Sequence, residues 1–229
     1  MGIVLCIVFY FKDFDNVFVK SYEKPVVIKA DGLAAGKGVI VCKNKDEAND
    51  AIDTILTKKS FGDAGSKIIL EERYDGLEAS YNALCDGKIG IPMATSQDHK
   101  RVFDNDEGPN TGGMGAYSPI PSVSEEFVKR IMDEAVHPTL QALIKRGIDY
   151  RGVLYAGIMN TAKGPKILEY NVRFGDPEAQ VILNLLETSY NDLLTIMLAC
   201  QHGLPMDIRW KSGYAANVVL SHLAYYSAL

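Results

Sequence analysis

The chain has 229 residues, 47% of them hydrophobic, with a formal net charge of −5. That is enough apolar material for one large domain or two lobes, and the acidic balance argues against a nucleic-acid surface as its main business. Cys6, Cys42, Cys85 and Cys200 lie far apart, without a C-x-x-C pair or a neighbouring His at ligand spacing, which points to reduced thiols in an intracellular, cytoplasmic protein.

Gly2 to Phe11 is apolar but too short to span a bilayer. It lacks the basic leader and cleavage site of a signal peptide. A buried strand and a boundary artefact both fit, so residues 1–20 are left unassigned. No membrane span is predicted anywhere.

Pro25 to Lys29 reads as a buried strand, and Val39 to Cys42 as a second. Between them Ala30-Asp31-Gly32-Leu33-Ala34-Ala35-Gly36-Lys37-Gly38 is a small-residue loop that lets backbone N–H groups approach phosphate oxygens. It is not a P-loop: Gly32 and Gly36 enclose too few residues, Gly38 stands where the hydroxyl should be, and a strand follows instead of a helix. A flap over a nucleotide and an ordinary hairpin both fit. Asn44 with Glu47 forms a capping box ahead of Ala48, Ile52, Ile55 and Leu56. Strands are expected at Lys67 to Tyr74 and Leu77 to Cys85, the latter turning at Asp86-Gly87 toward Ile89 to Ala94. Glu71, Glu72 and Glu78 cluster at this crossing, where carboxylates could accept from an adenine amino group and ribose hydroxyls. All three could equally be solvated, and Glu72 is read that way.

Thr95 to Tyr117 is long, polar and glycine-rich, and such a loop inside a compact domain is usually functional. His99, Lys100 and Arg101 could together hold an anion; a flexible surface loop is the plain alternative. Ser124 to Arg146 is helical with a break near Pro138. Gly152 to Thr161 reads as a strand covered on both faces. Lys166 to Tyr170 is a further short strand, and Asp176-Pro177 reads as an N-cap with proline at the first helical position. Glu169 and Asn171 share one face of that strand. A carboxylate and an amide oxygen side by side suit Mg²⁺, and Arg173 continues the alternation. A polar strand end with a surface salt bridge is the competing reading. Helices follow to about Leu186 and from about Asn191 to Cys200. Leu204 to Ser221 begins something new, with Ala215 to Leu220 as a strand.

Taken together, KADGLAAGKGV, EERYDGLEAS, TSQDHKRVFDNDEGPNTGGMGAYSP, YAGIM and LEYNVRFGDPE resemble the glycinamide ribonucleotide synthetases, also called phosphoribosylamine–glycine ligases, of the ATP-grasp superfamily. The resemblance runs from about Ser21 to Leu220. It implies an α/β (α+β) fold with two lobes of mixed and antiparallel sheet enclosing the nucleotide. Residues 21–203 would be the ATP-grasp domain, with a nucleotide lobe at about 21–90 and a substrate and metal lobe at about 91–203. Residues 204–229 would start a C-terminal domain. The implied substrates are ATP, glycine and 5-phosphoribosylamine, with Mg²⁺ or Mn²⁺ as the metal and neither nucleic acid nor membrane as a partner. The loop wording is closer to eukaryotic members, which often carry this activity as the first part of a multifunctional purine-synthesis protein.

Residue by residue, Lys29 resembles the lysine on the α- and β-phosphates, and Ala35, Gly36, Lys37 and Gly38 the flap over the triphosphate. Glu71 and Tyr74 fall where the family meets adenine, and Glu78 where it meets ribose. Glu169 and Asn171 match the metal ligands, with Arg173 beside the γ-phosphate and the reacting carboxylate. Asp98, Lys100, Asn110, Thr111, Gly112, Gly113, Met114 and Gly115 fall in the loop expected to meet phosphoribosylamine and glycine. Glycine's carboxylate would attack the γ-phosphate to give glycyl phosphate, which the amine then attacks. Lys29 and Arg173 are the catalytic cations of that scheme, in which no protein nucleophile is required. One such electrostatic contact is worth about 3 kcal/mol, roughly a hundredfold in rate.

Nothing in the chain matches the family's N-terminal substrate domain, and His222 to Leu229 departs from its glycine-rich continuation. The expectation is a partial form that holds the ATP-binding core and is weakly active or inactive alone. Another ATP-grasp carboxylate–amine ligase and a non-catalytic nucleotide-binding remnant are the alternatives.

Overall fold

The computed structural model describes residues 6–9 by their backbone course, and residues 24–34 and 38–221 in full. The chain divides into two compact units, residues 1–75 and 76–229.

In the first unit, β1 (Cys6–Phe9), β2 (Val26–Ala30), β3 (Val39–Cys42) and β4 (Ile68–Glu72) form an antiparallel sheet in the order β1-β4-β2-β3. Val26, Ile28, Ile68 and Leu70 alternate inward, as half-buried strands require. Helix α1 (Lys45–Ile52) and the wider π turn Asp53–Thr57 cover that face with Ala48, Ala51, Ile52 and Ile55. The Asn44 half of the capping box forms, with Asn44 Oδ1 accepting from Glu47 N at 2.9 Å, while Glu47 Oε2 accepts from Lys43 N, one residue before the cap, at 2.8 Å.

The second unit is built on β5 (Leu77–Asp86), β6 (Gly90–Pro92), β11 (Arg151–Thr161) and β12 (Gly164–Asn171), antiparallel in the order β12-β11-β5-β6. Asp86 Oδ1 closes the β5–β6 turn by accepting from Lys88 N and Ile89 N, both at 2.8 Å, while Gly87 takes a φ of +93°. One face of the sheet carries Ala79, Tyr81, Ala83, Cys85, Leu154, Ala156 and Ile158. These pack on α2 (Glu125–Ile131), the π turn Met132–Val136 and α3 (His137–Lys145). The break expected near Pro138 is absent. Pro138 sits in the first turn of α3, where its missing N–H costs little, and the helix widens just before it.

The other face is apolar at one end only. There Leu84 and Val153 pack against Leu193, Ile196 and Cys200 of α5 (Leu193–His202). The segment expected as a long loop contains four short strands. Two of them, β8 (Arg101–Phe103) and β9 (Glu107–Asn110), pair as a hairpin. The others, β7 (Gln97–Asp98) and β10 (Gly115–Ser118), join β13 (Ala215–Val218) in the order β13-β10-β7. Its polar composition hid these pairings, and β9 stays mostly exposed even when paired. Helix α4 (Glu178–Asn184) adds Val181 and Ile182 to a core with Met93, Ala116 and Ala215.

Two local details differ from expectation. Pro177, not Asp176, occupies the cap position of α4. Gly175 O accepts from Ala179 N at 2.9 Å, and Asp176 Oδ1 takes Gln180 Nε2 at 2.7 Å. In addition, β12 shifts register against β11 between Gly157 and Ile158, so that Glu169 opposes Gly157 while Ile167 opposes Ile158. Leu168 is the extra residue of this bulge.

Cys42, Cys85 and Cys200 are buried free thiols. No helix among the described residues is long and apolar enough to cross a membrane.

Candidate functional site

The polar end of the β5–β11–β12 face follows directly from the register. Tyr155 opposes Asn82 on β5 and Asn171 on β12. Gly157 opposes Ser80 on one side and Glu169 on the other, and Glu78 opposes Met159. Directly opposed residues in antiparallel strands share a face. Glu78, Ser80, Asn82, Tyr155, Glu169 and Asn171 therefore line one surface. Gly157 sits at its centre. A Cβ there would lie 3.3 Å from Glu169 Cγ and 3.5 Å from a ring carbon of Tyr155, so the glycine leaves room for both side chains.

Glu169 Oε1 and Asn171 Nδ2 are 3.0 Å apart. The expected pairing of the two on one strand face is what the structure shows. They offer two hard oxygens, Glu169 exposed and Asn171 half-buried. No group of three or more His, Cys, Asp or Glu able to hold a metal stands among the described residues. Two protein oxygens suit Mg²⁺, which keeps several waters and relies on substrate phosphates. The donor set thus fits a hard divalent cation such as Mg²⁺ or Mn²⁺, which Glu169 and Asn171 would hold through a carboxylate and an amide oxygen. Arg173 is exposed and donates to Phe174 O at 2.8 Å.

Beside this pair lies a charged cluster. Lys100 Nζ meets Glu78 Oε1 at 2.6 Å and Asp98 Oδ2 at 4.0 Å. The Asp98 side chain is only 7% exposed. Burial pushes its carboxyl up to about 6; Lys100 opposes that rise, while Glu178 and Glu78 add to it. Burial works against the Lys100 ammonium too, but Glu78 and Asp98 outweigh it and its pKa is raised. Glu178, 2% exposed, accepts from Ser80 Oγ at 2.9 Å and from Tyr155 OH at 3.2 Å. Burial and then the Glu178 charge raise the Tyr155 phenol. Sequence reasoning missed Ser80, Tyr155 and Glu178. Ser80 sits in a strand read only for Glu78, Tyr155 in one read as covered on both faces, and Glu178 read only as a helix start.

The two polar motifs converge on one another. Gly113, at φ +128°, packs so closely on Pro177 that a Cβ would come within 2.4 Å of the ring. Asn217 Nδ2 donates to Pro177 O at 3.1 Å, and its Oδ1 accepts from Ala116 N at 2.6 Å. Thr111 Oγ1 donates to Lys100 O at 2.8 Å and accepts from Gly113 N at 3.0 Å. Met114 N bonds to His99 O, and Gly115 lies against Asn217. Asn110 and Gly112 are exposed. The anion-binding trio does not form. Lys100 serves Glu78, Arg101 Nη1 donates to Gly108 O, and His99 stacks on Tyr117 at 5.9 Å. Adjacent residues on extended backbone point to opposite faces, which separates them.

In the first unit, Lys29 and Glu71 meet at 2.6 Å with both side chains largely buried. Gly38 is buried, and its O accepts from Ala30 N at 2.8 Å. Tyr74 OH lies 3.4 Å from Glu72 Oε2. Glu72, expected as solvated, is half-buried and also takes Lys24 at 3.1 Å. Ala35, Gly36 and Lys37 lie outside the described residues.

Residues 7–179 match the model of the phosphoribosylglycinamide synthetase ATP-grasp (A) domain. A phosphoribosylamine–glycine ligase of Pseudomonas aeruginosa is 55% identical over 210 residues, covering 91% of this chain and 48% of its own. That of Rhizobium meliloti is 47% identical over 212 residues, covering 92% and 49%. The chain spans about half the length of these curated relatives. A crystal structure of phosphoribosylamine–glycine ligase from Thermotoga maritima matches with a TM-score of 0.88 at 34% identity, over 97% of this chain and 56% of that one. The biotin carboxylase domain of 2-oxoglutarate carboxylase from Hydrogenobacter thermophilus gives a TM-score of 0.63 at 17% identity, over 88% and 42%. That is a likeness of fold alone.

Proposed function

Because the chain belongs to the family of the phosphoribosylglycinamide synthetase ATP-grasp (A) domain, we propose that it serves the ATP-dependent joining of glycine to 5-phosphoribosylamine. The products are glycinamide ribonucleotide, ADP and phosphate, a step of purine synthesis. The observation that carries this reading is the Glu169–Asn171 pair on a polar sheet face, with the 110–115 loop packed on the turn that follows.

In the first step a carboxylate oxygen of glycine attacks the γ-phosphorus as the bond to ADP breaks, giving glycyl phosphate. The amine of phosphoribosylamine then attacks the acyl carbon, and phosphate leaves. Two anions meet in the first step, so the site must supply positive charge where it develops. When bound, Mg²⁺ or Mn²⁺ neutralises phosphate oxygens as a Lewis acid. Glu169 and Asn171 would hold it. Arg173 spends one donor on Phe174 O, and a guanidinium has further N–H groups to orient the γ-phosphate and the attacking carboxylate. Lys29 contacts the α- and β-phosphates, held in place by Glu71. Gly38 belongs to the flap over them, Tyr74 meets adenine through its backbone, and Glu78 meets ribose. Asp98, Lys100 and the 110–115 loop form the face for glycine and phosphoribosylamine. Their roles are positioning and charge, with no protein nucleophile.

ATP titrated calorimetrically with and without Mg²⁺ tests the nucleotide half of this reading. Hydroxylamine trapping of glycyl phosphate as the hydroxamate tests the chemistry. The expected result is metal-dependent ATP binding that Glu169→Ala abolishes, and a hydroxamate that requires glycine. ATP binding indifferent to both Mg²⁺ and Glu169 would overturn it.

A further inference from the structure

Glu178 begins a helix, a position where carboxylates are ordinarily wet, yet it is 2% exposed. A buried carboxylate is tolerated only when its oxygens are hydrogen-bonded. Here Oε1 accepts from Ser80 Oγ and from Tyr155 OH, whose own oxygens are 2.8 Å apart. Ser80 belongs to β5 and Tyr155 to β11, on the face that carries Glu169 and Asn171. The chain ahead of Glu178 doubles back to allow this. A Cβ on Gly175 would lie 2.3–2.5 Å from the Glu178 carboxylate, so a side chain there would have to push the carboxylate aside. On the other side, Pro177 is held by Asn217 and packs on Gly113. The turn from Val172 to Pro177 is thereby fastened at both edges.

We propose that Glu178 is a positioning residue. By accepting hydrogen bonds from Ser80 and Tyr155, it pins the 172–177 turn to the two central strands and fixes where Asn171 and Arg173 are presented. The pinning stands on the geometry alone; its consequence for nucleotide binding rests on the function proposed above. The groups facing Glu178 are Ser80 and Tyr155, with Asp98 and Lys100 in the electrostatic neighbourhood. None of these is a metal ligand.

The test uses the 229-residue chain. Amide hydrogen exchange at residues 172–179 is measured without ligand in wild type, Glu178→Ala, Glu178→Gln and the double variant Ser80→Ala with Tyr155→Phe. MgATP affinity is measured in parallel. Glu178→Ala is expected to speed exchange at Ala179 and its neighbours roughly tenfold or more, and the double variant to match it. The same two variants should weaken MgATP binding while leaving metal-free ATP binding unchanged. Glu178→Gln keeps an oxygen able to accept both bonds and should stay within about threefold of wild type. Unchanged exchange in Glu178→Ala, or a Glu178→Gln as loose as Glu178→Ala, overturns the proposal. Should Glu178→Ala not fold, the double variant carries the same comparison. Should wild type bind no MgATP, the function reading falls while the exchange data still judge the pin.

Discussion

Replacing Asp98 by asparagine should change the pH dependence of stability in a defined direction. An Asp in the unfolded chain titrates at 3.8, whereas Asp98 in the folded protein is held up to about 6. Between those values the folded state keeps a proton that the unfolded state has released, so this group makes the protein less stable as pH rises. Its stabilising contribution is complete below the unfolded value and is lost as pH climbs through about 6. The roughly two-unit gap corresponds to about 3 kcal/mol. Lys100, 4.0 Å away, opposes the effect, while Glu78 and Glu178 reinforce it; all three are part of the net shift. The amide of the variant has no proton to lose. The stability of Asp98→Asn relative to wild type should therefore rise by about 3 kcal/mol between roughly pH 4 and pH 7. Urea unfolding followed by the fluorescence of Trp210, the chain's single tryptophan and packed near Leu186 and Ile208, reads this out. Parallel curves for the two proteins across that range would refute the reasoning. So would wild type gaining on the variant, which would mean that Lys100 dominates burial.

Gly157→Ala brings a Cβ to 3.3 Å from Glu169 Cγ, so the Glu169 side chain must give by a few tenths of an ångström while Tyr155 stays in ordinary contact; global stability should change by less than about 1 kcal/mol. The variant should also weaken metal-dependent ATP binding more than metal-free binding, measured side by side. Arg173→Ala should slow hydroxamate formation from glycine about a hundredfold while leaving ADP affinity within a few fold, since its charge matters most as the two anions meet. Asn44→Ala removes the side chain that caps α1 and should lower stability by about 1 kcal/mol in thermal unfolding, with no change in the metal dependence of ATP binding.

Much of this was legible in the residues. The spacing of Glu169 and Asn171 put them on one face, and the register confirms it. The Asn44 cap on Glu47 N also formed, although Glu47 returns its bond to Lys43 N. What escaped was whatever depended on distant partners. Lys100 looked available to an anion, but Glu78, far back in the chain, claims it. Tyr155 sits in an apolar run whose period says nothing of the hydroxyl and carboxylate waiting across the sheet. The Asp176 cap failed because Ala179 N reaches the Gly175 carbonyl instead, an outcome set by how the turn is fastened at Glu178. Among the short strands of the 95–117 segment, β10 was hidden for the same reason: it finds its partner in β13, about a hundred residues later.

The bulge at Leu168 has a mechanical consequence. On its far side, Ile167 answers to the helix layer; on its near side, Tyr170 reaches that same layer through Thr139, while Glu169 and Asn171 look the other way. A regular strand could not satisfy both, since residues 167 and 170 would fall on opposite faces. The extra residue lets the two parts of β12 turn opposite alternations to the helix layer while both stay paired with β11. Deleting Leu168 would force either Ile167 or the Glu169–Asn171 pair onto the wrong face of the sheet.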